Sequence, residues 1–280
     1  MKILLIGASG FLGSNLFQEF IKRNYEVSTL SYRQYKEDIF CKNLEIKLVE
    51  LNPDFIINTA SSQISGDNPE SLRELNSSNI LLHSFIAWGI NNFSPGCTLI
   101  SFGSQWQYVD SIRKPYNAYA ASKSAAEAML EHYVQDGLNV LWFVLGDTYG
   151  PNDPRKKIIN SIIETVKTEV PLNMTKGEQC INLIHIRDVI DAVIKGMSIF
   201  KKEDKGLFKK FKLMPSKPIK VNEITNLVSI ILDKDISYLF NLGFYEYSNR
   251  ERFSSKINFP MLDSWKPKVD LKKGLIELLK

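Results

Sequence analysis

Tyr119 and Lys123 stand four residues apart in an alanine-rich stretch, YNAYAASKSAAEAML, residues 116–130. On a helix that spacing places a phenol and an ammonium one turn apart on the same face. A free phenol titrates near 10, too high for useful acid/base work at neutral pH, and a nearby ammonium favours phenolate and lowers that value. Proton transfer is the chemistry this pair could perform. By itself, however, Y-x-x-x-K is compatible with chance, and its meaning depends on what the rest of the chain places beside it.

The elements that would position such a pair begin at the N-terminus. KILLIG is a short apolar run suited to a buried parallel strand, and GASGFLG (7–13) follows it directly. Leu16, Phe17, Phe20 and Ile21 then recur with helical period, so the unit reads strand, glycine turn, helix. Gly7, Gly10 and Gly13 are spaced by three, one position off the G-x-G-x-x-G fingerprint. Their roles can still be filled: Gly7 for the tight turn, Gly10 for approach of a pyrophosphate, Gly13 for packing of helix on sheet. The helix N-terminus then offers N–H groups to the anion. A second strand, EVSTLS, ends about 20 residues later, where an acid would bind a free ribose 2′-hydroxyl. This chain has Ser31, Tyr32 and Arg33 there. A small neutral residue beside an arginine suits a 2′-phosphate, so NADP(H) is expected over NAD(H). PDFIINTAS (53–61), CTLISFGS (97–104) and LNVLWFVLG (138–146) read as further buried strands, with a helix around 79–88. Alternation of strand and helix implies right-handed crossovers and a doubly wound, Rossmann-like α/β sheet. Ligands sit beyond the carboxyl ends of its strands, and Ser104 lies at one such end.

Composition excludes several other classes. The 280 residues are 44% apolar and 24% charged, and the net charge of +4 permits an anionic substrate without arguing for nucleic acid. The lysine-rich segment 201–220 also carries two acids and reads as solvated surface. Cys41, Cys97 and Cys180 lie far apart, as do His83, His132 and His185, so neither a disulfide framework nor a metal site is expected. No run of about 18 apolar residues is present to span a membrane, and a cytoplasmic location is expected.

Read together, GASGFLG, INTAS, Ser104 and Tyr119-x-x-x-Lys123 resemble the short-chain dehydrogenase/reductase superfamily. TYGPNDP (148–154), LIHIRDVIDAVIKGM (183–197) and WKPKVDLKKGLIELL (265–279) narrow the resemblance to its extended branch, the NAD-dependent epimerase/dehydratase family acting on nucleotide sugars. That resemblance implies Ser104, Tyr119 and Lys123 as the catalytic set, with Ser104 holding the reacting oxygen near Tyr119 while hydride passes to or from the nicotinamide. It further implies cofactor contacts from Ser9, Phe11 and Leu12 in the glycine turn, from Asn58, Thr59 and Ala60 at the end of the third strand, and from Asn79, Tyr119 and Lys123. It leads us to expect a Rossmann domain over 1–150 and 183–214, with a smaller split substrate lobe over 151–182 and 215–280. The nucleotide-sugar substrate is the expected partner, with a homodimer as the expected assembly.

Departures from the family's pattern sharpen the reading. Family dehydratases carry Asp-Glu after the serine or threonine, whereas this chain has Gln105-Trp106, neither of which exchanges a proton near pH 7. GDP-fucose synthases use a cysteine two residues after the serine, and here that position is Trp106. Only fourteen residues separate Ser104 from Tyr119, fewer than the family usually has. Asp147 replaces the usual asparagine before Y-G-P. Gln105, Trp106 and Asp147 are candidate substrate contacts, Tyr108 a candidate pocket wall, and Arg155, Arg250 and Arg252 candidates for the diphosphate; His185 is expected to be structural. NPDFIINTAS (52–61) resembles the corresponding strand of dTDP-4-dehydrorhamnose reductases and CDP-dideoxyhexose synthases. A 4-ketoreductase of a nucleoside-diphosphate deoxysugar is therefore expected. A 4-epimerase with retained NAD+ is the alternative, and a redox-sensing binding protein on the same fold a third.

Overall fold

The computed structural model describes residues 1–32, 37–64, 66–201, 204–215, 217–247, 257–263 and 265–280. Arg33, Arg250 and Arg252 lie outside the described residues. Two compact units result: Met1–Leu145 with Ile190–Lys212 and Ile257–Asp263, and Gly146–Val189 with Leu213–Lys256 and Ser264–Lys280.

The first unit is built on six strands: β1 (Lys2–Ile6), β2 (Glu26–Leu30), β3 (Phe55–Asn58), β4 (Thr98–Ser104), β7 (Asn139–Leu145) and β12 (Phe208–Leu213). Their spatial order is β12-β7-β4-β3-β1-β2. The pairings β2–β1, β1–β3, β3–β4 and β4–β7 are all parallel, which brings Ile6, Leu30 and Asn58 level at one edge of the sheet. The Rossmann-like fold expected from the sequence is thus observed. Continuous burial of Ile3–Ile6, Ile56–Ile57 and Val140–Val144 explains why those segments read as unbroken apolar runs rather than alternating ones. Each residue on such a strand faces a helix layer on one side or the other.

Helices α1 (Phe11–Lys22), α2 (Glu37–Leu51), α3 (Pro69–Leu75), α4 (Leu82–Phe93) and α5 (Ala118–Gln135) flank the sheet. The helix expected around 79–88 is longer than its periodicity suggested. Asn68 caps α3 by accepting from Ser71 N, with proline in its first turn. A π-helical stretch, Asn76–Leu81, then joins α3 to α4 without a break in helical backbone. Asn117 caps helix α5, its side chain accepting from Ala120 N. Its small residues Ala120, Ser122, Ser124 and Ala126 are all buried, so its packed side is made of residues that permit close approach. Between β4 and α5 the chain makes a single turn, Gln105–Gln107, and a tight hairpin of β5 (Tyr108–Val109) and β6 (Ile112–Arg113).

Among its described residues the second unit contains three short ladders. β8 (Asp147–Tyr149) pairs in parallel with β11 (Leu183–His185), β10 (Cys180–Ile181) pairs antiparallel with β13 (Ile219–Lys220), and β9 (Leu172–Asn173) pairs in parallel with β14 (Phe240–Asn241). Helix α7 (Ile186–Gly196) follows β11, and helices α6 (Ile158–Thr168), α8 (Val221–Leu232) and α9 (Leu271–Leu279) pack with the ladders around Ile159, Ile162, Ile224, Val228 and Leu275. These units differ from the expected boundaries at two places. The β8–β11 ladder carries 147–149 and 183–185 together into the second unit. Residues 257–263 return to the first, where Lys212 N donates to Pro260 O at 2.9 Å and Asn258 N to Ser111 Oγ at 2.7 Å.

Candidate active site

The glycine turn is held by its own backbone and by Thr59. Thr59 Oγ1 donates to Ile6 O at 2.9 Å and to Gly7 O at 3.0 Å, fastening the end of β1 to the segment after β3. Gly7 has φ +85°, and a Cβ there would come within 2.5 Å of Ala60 N. At Gly13 a Cβ would lie 2.1 Å from Gly7 O, so α1 can approach the turn only because that atom is missing. Gly10 differs from both. Its φ is −79°, open to any residue, and among the described residues a Cβ would meet only Gly7 O at 3.5 Å. The described residues give no reason for glycine at this position, whereas a phosphate pressed against the turn would. Gly10 caps α1 without a side-chain hydrogen bond, and no acid occupies the first turn. The donor set therefore fits a dinucleotide pyrophosphate.

The cleft beside this turn, about 270 Å³, is lined by Gly7, Ser9, Gly10, Ser31, Tyr32, Thr59 and Ala60 among the expected cofactor residues, joined by Ser61, Ser78 and Leu82. Phe11, Leu12 and Gly13 continue into α1. Asn58 and Asn79 are buried behind the cleft with their side chains committed to the protein. Asn58 Oδ1 accepts from Ala60 N at 3.1 Å. Asn79 Oδ1 accepts from Ser61 Oγ and Ser62 N, while its Nδ2 donates to Ser62 O and Ser122 Oγ. Asn79 thereby ties the segment after β3 to the helix bearing Tyr119 and Lys123. Tyr32 turns its hydroxyl to Ser77 Oγ at 2.7 Å and its ring edge-on to Phe40. A neighbouring cleft of about 420 Å³ also contains Ser9 and Ser31, with Asn43, Ile46 and Lys47 of α2 on its far wall. Lys47 had no signal in the sequence, because only the fold brings the middle of α2 beside the end of β2.

Ser104, Tyr119 and Lys123 all belong to the first unit, on β4 and on α5, which pack against each other. Ser104 Oγ accepts from Trp106 N at 3.3 Å, an arrangement that uses a lone pair and keeps the hydroxyl proton for donation. Lys123 is almost wholly buried, and desolvation lowers its pKa from 10.5 to about 7. His83 feels its charge from within the core and carried no signal in the sequence. His83 Nδ1 lies 2.6 Å from Asn79 O and must donate; Nε2 then accepts from Ser101 Oγ at 2.7 Å and contacts Asn58 Nδ2 at 3.2 Å. Burial and then the charge of Lys123 hold its pKa at about 3, so the imidazole stays neutral.

Gln105 is buried, and Trp106 is half-buried with its ring 5.0 Å from that of Tyr116. Tyr108 is not a pocket wall: it is 1% exposed and donates to Glu127 Oε2 at 2.5 Å. Asp147 and Arg155 belong to the second unit. The Arg155 guanidinium is spent on Asp153 at 2.7 Å and on Thr148 O and Oγ1 at 2.9 Å, so it pins its own loop. His185 meets the structural expectation: it is buried edge-on against Tyr149, 3.6 Å from Glu277, with its pKa lowered by burial. Among the described residues no cluster could hold a metal ion, and no helix is long and apolar enough to cross a membrane.

Known proteins resemble this chain in sequence and in fold. The model of the NAD dependent epimerase/dehydratase family matches residues 3–206. A CDP-abequose synthase of Yersinia pseudotuberculosis is 31% identical over 270 residues, 90% of either chain. One from Salmonella typhimurium is 24% identical, covering 99% of this chain and 97% of that one. Among solved structures, MoeE5 in complex with UDP-glucose and NAD superposes with a TM-score of 0.84 at 18% identity, covering 100% of this chain and 97% of that one. A Thermotoga maritima UDP-glucose 4-epimerase with UDP-glucose gives the same TM-score, identity and coverage.

Proposed function

Because this chain belongs to the NAD-dependent epimerase/dehydratase family, we propose that it is a cytoplasmic nucleotide-sugar 4-ketoreductase that uses NADPH. The observation carrying this reading is the turn after Ser104. Gln105, Trp106 and Gln107 supply no acid or base, and Glu127, the carboxylate that accepts from Gln107 of that turn, is wholly buried and held by its donors. Water elimination needs an acid and a base beside the sugar; carbonyl reduction needs one proton donor and one hydrogen bond to the oxygen. A CDP-linked 4-keto-6-deoxy sugar is the first substrate to test, since the most similar of the curated relatives above is named a CDP-abequose synthase.

When bound, the nicotinamide dinucleotide supplies the hydride. The chain's own residues do the rest. Ser104 donates to the 4-keto oxygen and fixes its orientation. Tyr119 delivers the proton to that oxygen as it becomes an alcohol. Lys123, an ammonium when protonated, stabilises the phenolate left behind, and bonding to the ribose hydroxyls would return it part of the hydration that burial removed. Preference for NADPH is supported by Ser31, which offers no repulsion to a 2′-phosphate, and by Lys47 in the same cleft.

Loss of NADPH absorbance with a panel of CDP-, dTDP- and UDP-linked 4-keto-6-deoxy sugars tests the reading. Turnover with one of them is expected. No turnover with any, together with NAD+ carried through purification at near one per chain, would replace it with the 4-epimerase.

A further inference from the structure

Glu127 lies on α5 one turn beyond Lys123, so 119, 123 and 127 follow one another along a single face. It is a carboxylate with no exposure at all, surrounded by donors: Tyr108 OH at 2.5 Å and Gln107 Nε2 at 3.0 Å on Oε2, Arg113 at 3.4 Å, and Lys210 on Oε1. Lys210 is itself seated over the rings of Phe259 and Tyr108. Burying a carboxylate among so many groups is costly, and apolar packing would have served stability as well. What an apolar side chain could not do is hold Gln107. The Gln107 amide donates to Glu127 with its nitrogen and accepts from Ser104 N at 2.7 Å with its oxygen. Gly103 makes room for this, because a Cβ there would meet Gln107 Oε1 at 2.4 Å.

We infer that Glu127 and Gln107 are a positioning pair that sets the placement of Ser104 relative to Tyr119 and Lys123. The helix that carries the proton donor also carries the anchor for the hydroxyl that must meet the same oxygen. In place of a long loop between serine and tyrosine, the chain has one turn and a hairpin clamped to that anchor. Two further backbone bonds complete the clamp, Lys114 N to Gln107 O at 2.8 Å and Tyr116 N to Trp106 O at 2.9 Å. The ion pairs of Glu127 with Arg113 and Lys210 lie on its own oxygens, and its link to Ser104 runs through the Gln107 amide.

This inference rests on Ser104 as the group that binds the reacting oxygen, and an exchange of partners tests it. Gln107→Glu sets two carboxylates against each other and should lower kcat at least tenfold, with cofactor Kd within about twofold. Adding Glu127→Gln restores a donor opposite an acceptor, with Ser104 N still satisfied, and should recover kcat to within about threefold of the parent. Arg113→Met removes another neighbour of Glu127 and should lower Tm while leaving kcat within about twofold. Should Gln107→Glu fail to fold, Gln107→Met is read in its place, with the same loss expected. A double variant no better than the worse single, or an Arg113→Met loss as large as that at 107, would overturn the pairing. Hydrogen exchange at the Ser104 amide is read alongside: faster exchange in Gln107→Met is expected, and unchanged exchange overturns the anchor. This readout needs no substrate, so it still decides the inference if the parent turns over no ketosugar and the proposed activity fails.

Discussion

The two halves of the site are built by opposite means. The glycine turn works through atoms that are missing: Gly7, Gly10 and Gly13 leave room, and Thr59 holds the backbone in place. The face of α5 works through groups that are costly to bury, an ammonium at Lys123 and a carboxylate at Glu127, with a neutral His83 within reach of the former's charge. A binding surface made of backbone is cheap and sterically exacting. A reactive surface made of buried charge gives up stability for chemistry, as functional sites commonly do. Substitutions should accordingly separate the two halves by whether they damage fold, binding or turnover.

The largest expected effect isolates chemistry from binding. Tyr119→Phe should reduce turnover by about 10²–10⁴-fold while cofactor affinity measured by fluorescence titration stays within about threefold. Full turnover in this variant would remove α5 from the reaction.

Next comes a contrast within the turn. Gly13→Ala forces a methyl to within 2.1 Å of Gly7 O and should cost about 1–3 kcal/mol of stability by denaturant titration. Gly10→Ala should unfold like the parent yet bind cofactor at least tenfold more weakly, a loss of about 1.4 kcal/mol. Equal cofactor affinity in parent and Gly10→Ala would show that no ligand approaches that position.

A smaller effect tests the cost of the ammonium. Burial lowers the Lys123 pKa from 10.5 to about 7. Below pH 7 the folded chain carries a desolvated charge that the unfolded chain solvates, so the penalty is complete there. Between about 7 and 10.5 the folded state has released a proton that the unfolded state keeps, and the penalty shrinks as pH rises. Lys123→Met should therefore have a higher Tm than the parent at pH 6, by a margin that narrows at pH 9, while turnover is lost. A margin independent of pH would contradict the buried-charge account.

The smallest expected effect concerns cofactor choice. Lys47→Ala should weaken NADPH by up to about tenfold and leave NADH nearly unchanged, since a charge-assisted bond contributes about 1.5–3 kcal/mol before solvation is counted. Equal weakening of both would place Lys47 away from the 2′-phosphate.

How far the sequence reached follows the same division. Unbroken apolar runs identified β1, β3, β4 and β7 because strands covered on both faces need no polar alternation. Glycine spacing marked the turn after β1 because a missing Cβ is visible in one dimension, and Tyr-x-x-x-Lys stood out because helical neighbours are close in sequence. Periodicity was silent where the tertiary structure made the decision. Tyr108 read as a pocket aromatic until Glu127, nineteen residues away, was found to take its hydroxyl. Arg155 read as a free cation until Asp153 and Thr148 were seen to hold it. His83 and Gln107 carried no signal, since their partners Ser101 and Glu127 come beside them only in the folded chain, and Lys47 carried none, since only the fold brings it into one cleft with Ser31. Local order is dictated by bonding along the chain, and it sufficed to name the fold and to single out the Tyr119–Lys123 pair. Where a buried polar group finds its partner is a long-range question, and only the packing of the elements on the sheet answers it.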